Sequence, residues 1–215
     1  MIRMTTFDSF SEWLSRRQSR IGGSDAAAVI GLNPYKSNLR LWQEKTGKVQ
    51  AEDISDKPYV KYGTDAEAHL RELFKMDFPE YQVLYEAGNM WTNDMYPFAH
   101  ASLDGWLVDS EGRNGVLEIK TTNIMRAGQS DLWKGRIPDN YYIQLLHYLM
   151  VTGFEFAILK GQLKYEFGEM WLLTKHFKIE RSEVQADINF LIDKEREFWQ
   201  HIEDNTPPAL ILSDI

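Results

Sequence analysis

Two acids and one amine fall in two short segments, Ala101-Ser102-Leu103-Asp104-Gly105-Trp106-Leu107-Val108 and Val116-Leu117-Glu118-Ile119-Lys120-Thr121. Together they have the composition that hydrolysis of a phosphodiester requires. Such an ester is an anion that repels nucleophiles, and Mg²⁺ counters this by screening charge, polarising the phosphoryl oxygen and supplying hydroxide. Mg²⁺ uses few carboxylates, keeps several waters and wants oxygens at about 2.0–2.1 Å. Asp104 and Glu118 would give two oxygens and the Ile119 carbonyl a third, while Lys120 would orient the attacking water or offset the developing charge. Mn²⁺ suits the same all-oxygen set. The competing reading is a solvated hairpin whose alternate charges face water, and the two segments alone leave both open.

The elements that must position these groups can be read from periodicity. Both segments have strand character and flank the turn Asp109-Ser110-Glu111-Gly112-Arg113-Asn114-Gly115, which predicts a hairpin. Alternation puts Glu118 and Lys120 on one face and Ile119 on the other, and Asp104 reaches the same space from the partner strand. A helix over 62–75 carries Ala66, Leu70, Leu73 and Phe74 as its apolar stripe, with Glu67 at the stripe's edge. A carboxylate there needs a partner, which makes Glu67 a candidate direct or water-mediated metal ligand as well as a candidate salt-bridge partner.

A second helix, over 138–152 and closed by Gly153, is apolar on almost every side, so the amide of Gln144 must find partners. It either holds a water or phosphate at the site or bridges core backbone groups, with Tyr141 and Tyr148 one turn to either side as support. His147 reads as a satisfied helix histidine rather than a ligand. Upstream, Gly22-Gly23-Ser24 leads into an alanine-rich helix, for which Ser24 is the expected N-cap. Free amides at such an end bind phosphate, and Arg16, Arg17 and Arg20 lie just before it. An ordinary cap beside a solvated basic patch is the alternative.

The remaining elements are expected as helices over 7–18, 24–30, 38–46 and 181–202, and strands over 81–87, 99–108, 116–122, 154–162 and 171–177. The last helix has Val184, Ile188, Leu191, Ile192 and Phe198 as its apolar stripe. The segment Pro207-Pro208-Ala209-Leu210-Ile211-Leu212 either folds back or meets another subunit.

The motifs also occur in a telling order. Trp13-x-x-x-Arg17, Ile21-Gly22-Gly23-Ser24-Asp25-Ala26-Ala27-Ala28, Leu32-Asn33-Pro34-Tyr35, Gly63-x-x-x-Glu67, Ser102-x-Asp104-Gly105, Glu118-Ile119-Lys120 and Gln144-x-x-x-Tyr148 follow one another. The sequence over about 10–155 resembles the YqaJ viral recombinase family, phage-type exonucleases similar to lambda exonuclease in the PD-(D/E)xK superfamily. The resemblance implies an α/β restriction-endonuclease-like core, with a mixed central β-sheet flanked by helices, in a single nuclease domain over 1–215. It implies that Asp104, Glu118 and Lys120 are the catalytic acid, acid and lysine, with the Ile119 carbonyl as a metal ligand and Glu67 as the upstream glutamate. Gln144 falls on the glutamine that serves the active site. Arg17 matches the arginine that grips a 5′-terminal phosphate, and Ser24 and Ser102 match hydroxyl residues that assist it. One position departs from the pattern: Leu103 stands where the superfamily name has proline.

The activity implied is Mg²⁺-dependent 5′-to-3′ degradation of one strand from a double-stranded DNA end, leaving a 3′ overhang for phage recombination. A single-strand annealing protein is the implied partner and a trimeric ring the implied assembly. A structure- or site-specific endonuclease and a non-catalytic DNA-end binding module are the rival readings.

Composition sets limits. With 215 residues, 43% hydrophobic and 13% aromatic, the chain is suited to one α/β domain with its own core. No run reaches the ~18–20 apolar residues of a membrane helix, so the expected location is the cytoplasm of a bacterial host. The absence of cysteine excludes disulfides, thiolate-zinc sites and iron–sulfur clusters. A net charge of −8 is unusual for a DNA-binding protein. Several acids belong to the candidate site and others cluster over 179–204, whereas Arg126, Lys134 and Arg136 lie between the two central motifs, and local fields can oppose net charge.

Overall fold

The computed structural model describes residues 1–166 and 169–212. Among these, the first half contains β1 (Ile2–Thr6), α1 (Phe10–Gln18), α2 (Gly23–Val29), α3 (Asn38–Lys45), α4 (Pro58–Asp77), β2 (Gln82–Leu84) and β3 (Asn89–Asn93). The second half contains β4 (Gly105–Val108), β5 (Asn114–Ile124), α5 (Ala127–Asp131), α6 (Asp139–Thr152), β6 (Phe156–Tyr165), β7 (Trp171–Glu180) and α7 (Gln185–Glu203).

The central sheet has the order β2-β4-β5-β6-β7. The predicted hairpin forms, with Gly105 opposite Leu117 and Val108 opposite Asn114. β5 then runs parallel to β6 from Gly115–Phe156 to Ile124–Tyr165, and the remaining pairs are antiparallel. Parallel neighbours need a long crossover. Here α6 supplies it, ending at Gly153, whose φ of 69° is the left-handed conformation glycine adopts freely. Alternation along β5 divides the core. Val116 packs with Leu145, Leu146 and Leu149 of α6, with α2 and α7 in the same cluster, while Leu117 and Ile119 join Leu70 and Phe74 of α4. Each such side chain contributes about 1.5–3 kcal/mol by leaving water. The result is a mixed sheet with α6 on one face and α4 on the other.

Several expectations need correction. The strand expected over 99–108 is reduced to four residues: Ala99 bridges to Ile21 and Ala101 to Trp91, while the side chain of Asn89 takes both polar groups of the Leu103 backbone. β1 and β3 form a separate two-stranded ribbon that was not foreseen: Ile2 and Met4 alternate with Arg3 and Thr5, but β1 is exposed along its whole length. α5 was also unforeseen. α4 begins at Pro58, a residue well suited to a first helical turn, and its Leu73 is 48% exposed rather than part of the buried stripe. β6 and β7 run three residues further than expected, and α7 starts at Gln185.

His147 is a satisfied core histidine: its Nδ1 meets Glu195 Oε1 at 2.7 Å and its Nε2 meets the His100 carbonyl at 2.8 Å. The C-terminal segment folds back, held by Asn38, which donates to the Ala209 carbonyl and accepts the Ile211 amide. No helix among the described residues is long and apolar enough to cross a membrane.

Candidate active site

A cavity of about 590 Å³ opens where β4 stops and β5 continues. Beyond Leu117, β5 has no β4 partner, and the Ile119 amide donates instead to Asp104 Oδ2 at 2.8 Å. In a strand the N–H and C=O of one residue point to the same edge, so the Ile119 carbonyl also faces this notch. Glu118 and Lys120, on the α6 face, line the cavity together, with Lys120 Nζ 2.6 Å from Glu118 Oε1. Gln144 Nε2 donates to Glu118 Oε1 at 2.7 Å and to the Tyr148 hydroxyl at 2.8 Å. Gly23 allows this packing: a Cβ there would lie 2.4 Å from the Tyr148 ring and 3.0 Å from Gln144 Cγ.

From the other side of the sheet, α4 carries Glu67 to the same cavity. Its carboxylate accepts from Arg71 Nη1 at 3.0 Å, and the same nitrogen donates to the Asp104 carbonyl. Arg71 is 6% exposed, with its guanidinium 3.5 Å from the centroid of the Tyr85 ring. Sequence reading missed Arg71 because, four residues from Glu67, it has the signature of an ordinary helical ion pair. Asn89, another lining residue, was missed because nothing local marks it.

Arg17, Ser24, Ser102 and Tyr148 also line the cavity. The Arg17 guanidinium is placed 4.3 Å above the ring of Trp13. The Ser102 hydroxyl is buried and, among the described residues, without a partner. Ser24 is not the helix cap. Gly22 occupies that position, and Asp25 takes the Gly22 amide at 3.3 Å while pairing with Lys45 at 2.8 Å. The acid thus takes the Gly22 amide at the helix end where phosphate was expected. Two candidates lie off the cavity. Arg20 donates to the Pro97 carbonyl at 3.0 Å and lines a separate hollow with Arg16. Tyr141 stands behind Lys120, 5.5 Å from ring centroid to Nζ, and packs on Trp133. In the intervening segment Lys134 and Arg136 pair with Asp131 and Asp139.

The electrostatics follow from crowding in a dry place. Burial, followed by the negative charges of Asp104 and Glu67, pushes Glu118 up to about 8 despite Lys120. Burial raises Asp104 and Glu67 as well, and Asp104 adds to the rise at Glu67. Burial favours a neutral Lys120, but Glu118 and Asp104 outweigh it and hold the amine above its ordinary pKa. Glu118 Oε2 is buried and, among the described residues, accepts no hydrogen bond. An unpartnered carboxylate oxygen among mutually repelling acids is a fit for a hard divalent cation. Among the described residues no three Asp, Glu, His or Cys side chains are grouped so as to hold a metal ion by themselves. Mg²⁺ does not need such a group, since it binds through one or two carboxylates and retains waters. Glu67, tied to Arg71, is the outlying acid of the three.

This sheet, with an acid at the fork, an acid–hydrophobic–lysine strand beside it and helices on both faces, is the restriction-endonuclease-like PD-(D/E)xK fold. Solved structures agree on the fold. An alkaline exonuclease from Laribacter hongkongensis matches with a TM-score of 0.61 at 19% identity, covering 91% of this chain and 95% of that one. Its complex with dAMP matches equally well. A phage-related exonuclease from Haemophilus somnus 129PT matches with a TM-score of 0.54 at 12% identity, covering 86% and 96%. The chain belongs to the YqaJ-like viral recombinase family, whose domain matches residues 12–155. An uncharacterized protein YqaJ from Bacillus subtilis is 33% identical over 198 residues, 89% of this chain, and the chain spans 56% of that relative's length.

Proposed function

We propose that this protein is a divalent-metal-dependent 5′-to-3′ exonuclease that degrades one strand of linear duplex DNA and leaves a 3′ overhang. The observation that carries the reading is Glu118: buried, ion-paired to Lys120, held by Gln144, and presenting an unpartnered oxygen in a cleft shared with Asp104, Glu67 and Arg17. Kinship with a viral recombinase family and with the fold of two exonucleases supports it.

Asp104, Glu118 and the Ile119 carbonyl would hold Mg²⁺ or Mn²⁺, with Glu67 reaching it through water. Bound there, the ion supplies charge screening and Lewis acidity. Lys120, kept protonated by its two acids, would direct its N–H groups at the attacking water or at the charge that builds on the phosphoryl oxygens. Gln144 fixes Glu118 in one orientation, and Tyr148 fixes Gln144. Arg17, with Ser24 and Ser102 beside it, grips the terminal 5′-phosphate in two hydrogen bonds and so selects the bond that is cut. Displacement of the 3′-oxygen leaves a phosphate on the shortened strand, which restores the group that Arg17 binds. The partners in this reading are DNA ends and a phage single-strand annealing protein, with a homo-oligomeric ring as the assembly and the bacterial cytoplasm as the setting.

The decisive assay sets end-labelled linear duplex beside closed circular duplex, with and without Mg²⁺ and a 5′-phosphate. Loss of linear DNA as mononucleotides from the 5′ end, only with metal, is expected. Cutting of the sealed circle would favour a site- or structure-specific endonuclease. Normal degradation by Glu118→Ala or Lys120→Ala would overturn the site, and retention of ends without cleavage would leave a DNA-end binding module.

A further inference from the structure

In a chain of net charge −8 an arginine finds a carboxylate easily, and Arg3, Arg40, Arg71, Arg113, Arg136 and Arg196 each pair with one. Arg16, Arg17 and Arg20 do not. They crowd at the end of α1, and among the described residues none of them makes an ion pair. Their backbone is pinned. Lys45 Nζ donates to the Arg20 carbonyl at 2.5 Å and to the Arg17 carbonyl at 3.4 Å while pairing with Asp25, and the Ser19 hydroxyl donates to the Arg16 carbonyl at 2.9 Å. Arg17 faces the cleft. Arg16 and Arg20 line instead a hollow of about 360 Å³, walled by the ribbon of β1 and β3. Register sets Thr5 opposite Met90 and Arg3 opposite Thr92, so Thr5 and Thr92 bring their hydroxyls to the hollow on one face of the ribbon. Phe7 lines both spaces, so hollow and cleft adjoin. Glu12 is the one acid among the hollow's lining residues, and it pairs with neither arginine. Arg20 commits Nε to the Pro97 carbonyl at 3.0 Å, which fixes the plane of its guanidinium and leaves both terminal nitrogens to donate.

We propose that the hollow of Arg16 and Arg20 is a second phosphate site, which holds the backbone of duplex DNA outside the cleft. This rests on the reading of the cleft as a DNA-cutting site and names what keeps the duplex beside it. The charge balance sets the need. The field of the whole chain repels a polyanion, so DNA has to be held where the local field has the opposite sign. An unpaired guanidinium on a pinned backbone does this well, because its fork meets a phosphate with parallel N–H groups and little order is left to impose. Arg17, read as the grip on the terminal phosphate, does not hold internal phosphates as well. Arg16 and Arg20, on the same short stretch of chain, supply that second hold. Contacts to the backbone position a duplex without reading its sequence, which suits degradation of any DNA.

The test uses the intact protein in EDTA, so that nothing is cut, and a labelled duplex sealed at both ends by hairpin loops, which offers no terminal phosphate to Arg17. Affinity is measured by fluorescence anisotropy over a range of salt concentrations. Arg16→Ala and Arg20→Ala should each weaken binding about tenfold at about 0.1 M salt and reduce the salt slope by about one. Arg16→Glu should weaken it further. Arg16→Lys should restore most of the affinity, since a phosphate also accepts a point charge. Arg196→Ala, which removes an exposed arginine of α7, should bind like the wild type. Arg16 is exposed, and melting curves check that every variant folds. Failure of the wild type to bind the sealed duplex overturns the site, as does wild-type affinity and salt slope in Arg16→Glu and Arg20→Ala, including in favour of an acidic protein partner in the hollow. Cleavage of linear duplex in Mg²⁺ is scored separately. Arginine-dependent binding without any nuclease activity would retain the hollow and reject the proposed function, and nuclease activity with unaltered binding in the variants would do the reverse.

Discussion

Asn89 holds the main chain of Leu103 by both of its polar groups, donating to the carbonyl and accepting from the amide at 2.9 Å each. A neighbouring strand would normally do this. Here one side chain does it, immediately before Asp104 turns back to the Ile119 amide. Leu103 lacks the ring that would stiffen a proline at this position, and the clamp restores the stiffness from outside. Asn89→Ala strands two buried backbone groups at a cost of about 1–3 kcal/mol each, so it should lower the melting temperature and slow cleavage by more than tenfold. Calorimetry and initial rates check this, and wild-type values for both would refute it.

The crowded acids make metal binding depend on pH. A carboxyl raised to about 8 keeps its proton in the folded chain while the unfolded chain, with its ordinary value near 4.5, has lost it. Across that window the folded state binds more protons, so the stability of the metal-free protein declines as pH rises. A divalent cation relieves the same repulsion and competes with the proton. The rise in melting temperature on adding Mg²⁺ should therefore grow from pH 6 to about pH 8.5. A shift that is independent of pH, or largest in acid, would contradict the assignment of Glu118 as a ligand.

Arg17 lies over Trp13 and faces the cleft. Arg17→Ala should impair digestion of 5′-phosphorylated ends by about tenfold or more, since a bidentate charged contact is lost, while 5′-hydroxyl ends change little. Equal loss on both ends would remove its role in phosphate binding.

The pair His147–Glu195 ties α6 to α7 with both side chains fully buried. Burial lowers the affinity of His147 for its proton, but Glu195 and the His100 carbonyl reverse the balance and raise its pKa. The stabilisation is complete below the ordinary histidine value and is lost as pH climbs through the raised one. Glu195→Ala, which leaves the imidazole without its counter-charge, should cost about 3–5 kcal/mol in chemical denaturation. A loss well under 1 kcal/mol would show the pair to be dispensable.

What could be read from sequence was what repeats with a local period. Alternation put Glu118 and Lys120 on one face, and helical spacing put Glu67 at an edge and Gln144 inside. What failed depended on groups meeting across the chain. Ser24 looked like a cap until Asp25 proved to serve Gly22 and Lys45. Residues 99–104 alternate like a strand, yet they pair with Ile21, Trp91 and a side-chain amide instead of with β5. Arg71 reveals its use only when Asp104, distant in sequence, lies beside it.

Gly23 has a consequence for altering this protein. With only a hydrogen separating α2 from the ring of Tyr148, the spacing of the two helices is set by backbone against side chain and has no slack. Any residue with a Cβ there would pry the helices apart and send the displacement through Gln144 into Glu118. Engineers seeking new cleavage preferences would do better to diversify the outward-facing rim and leave that seam untouched.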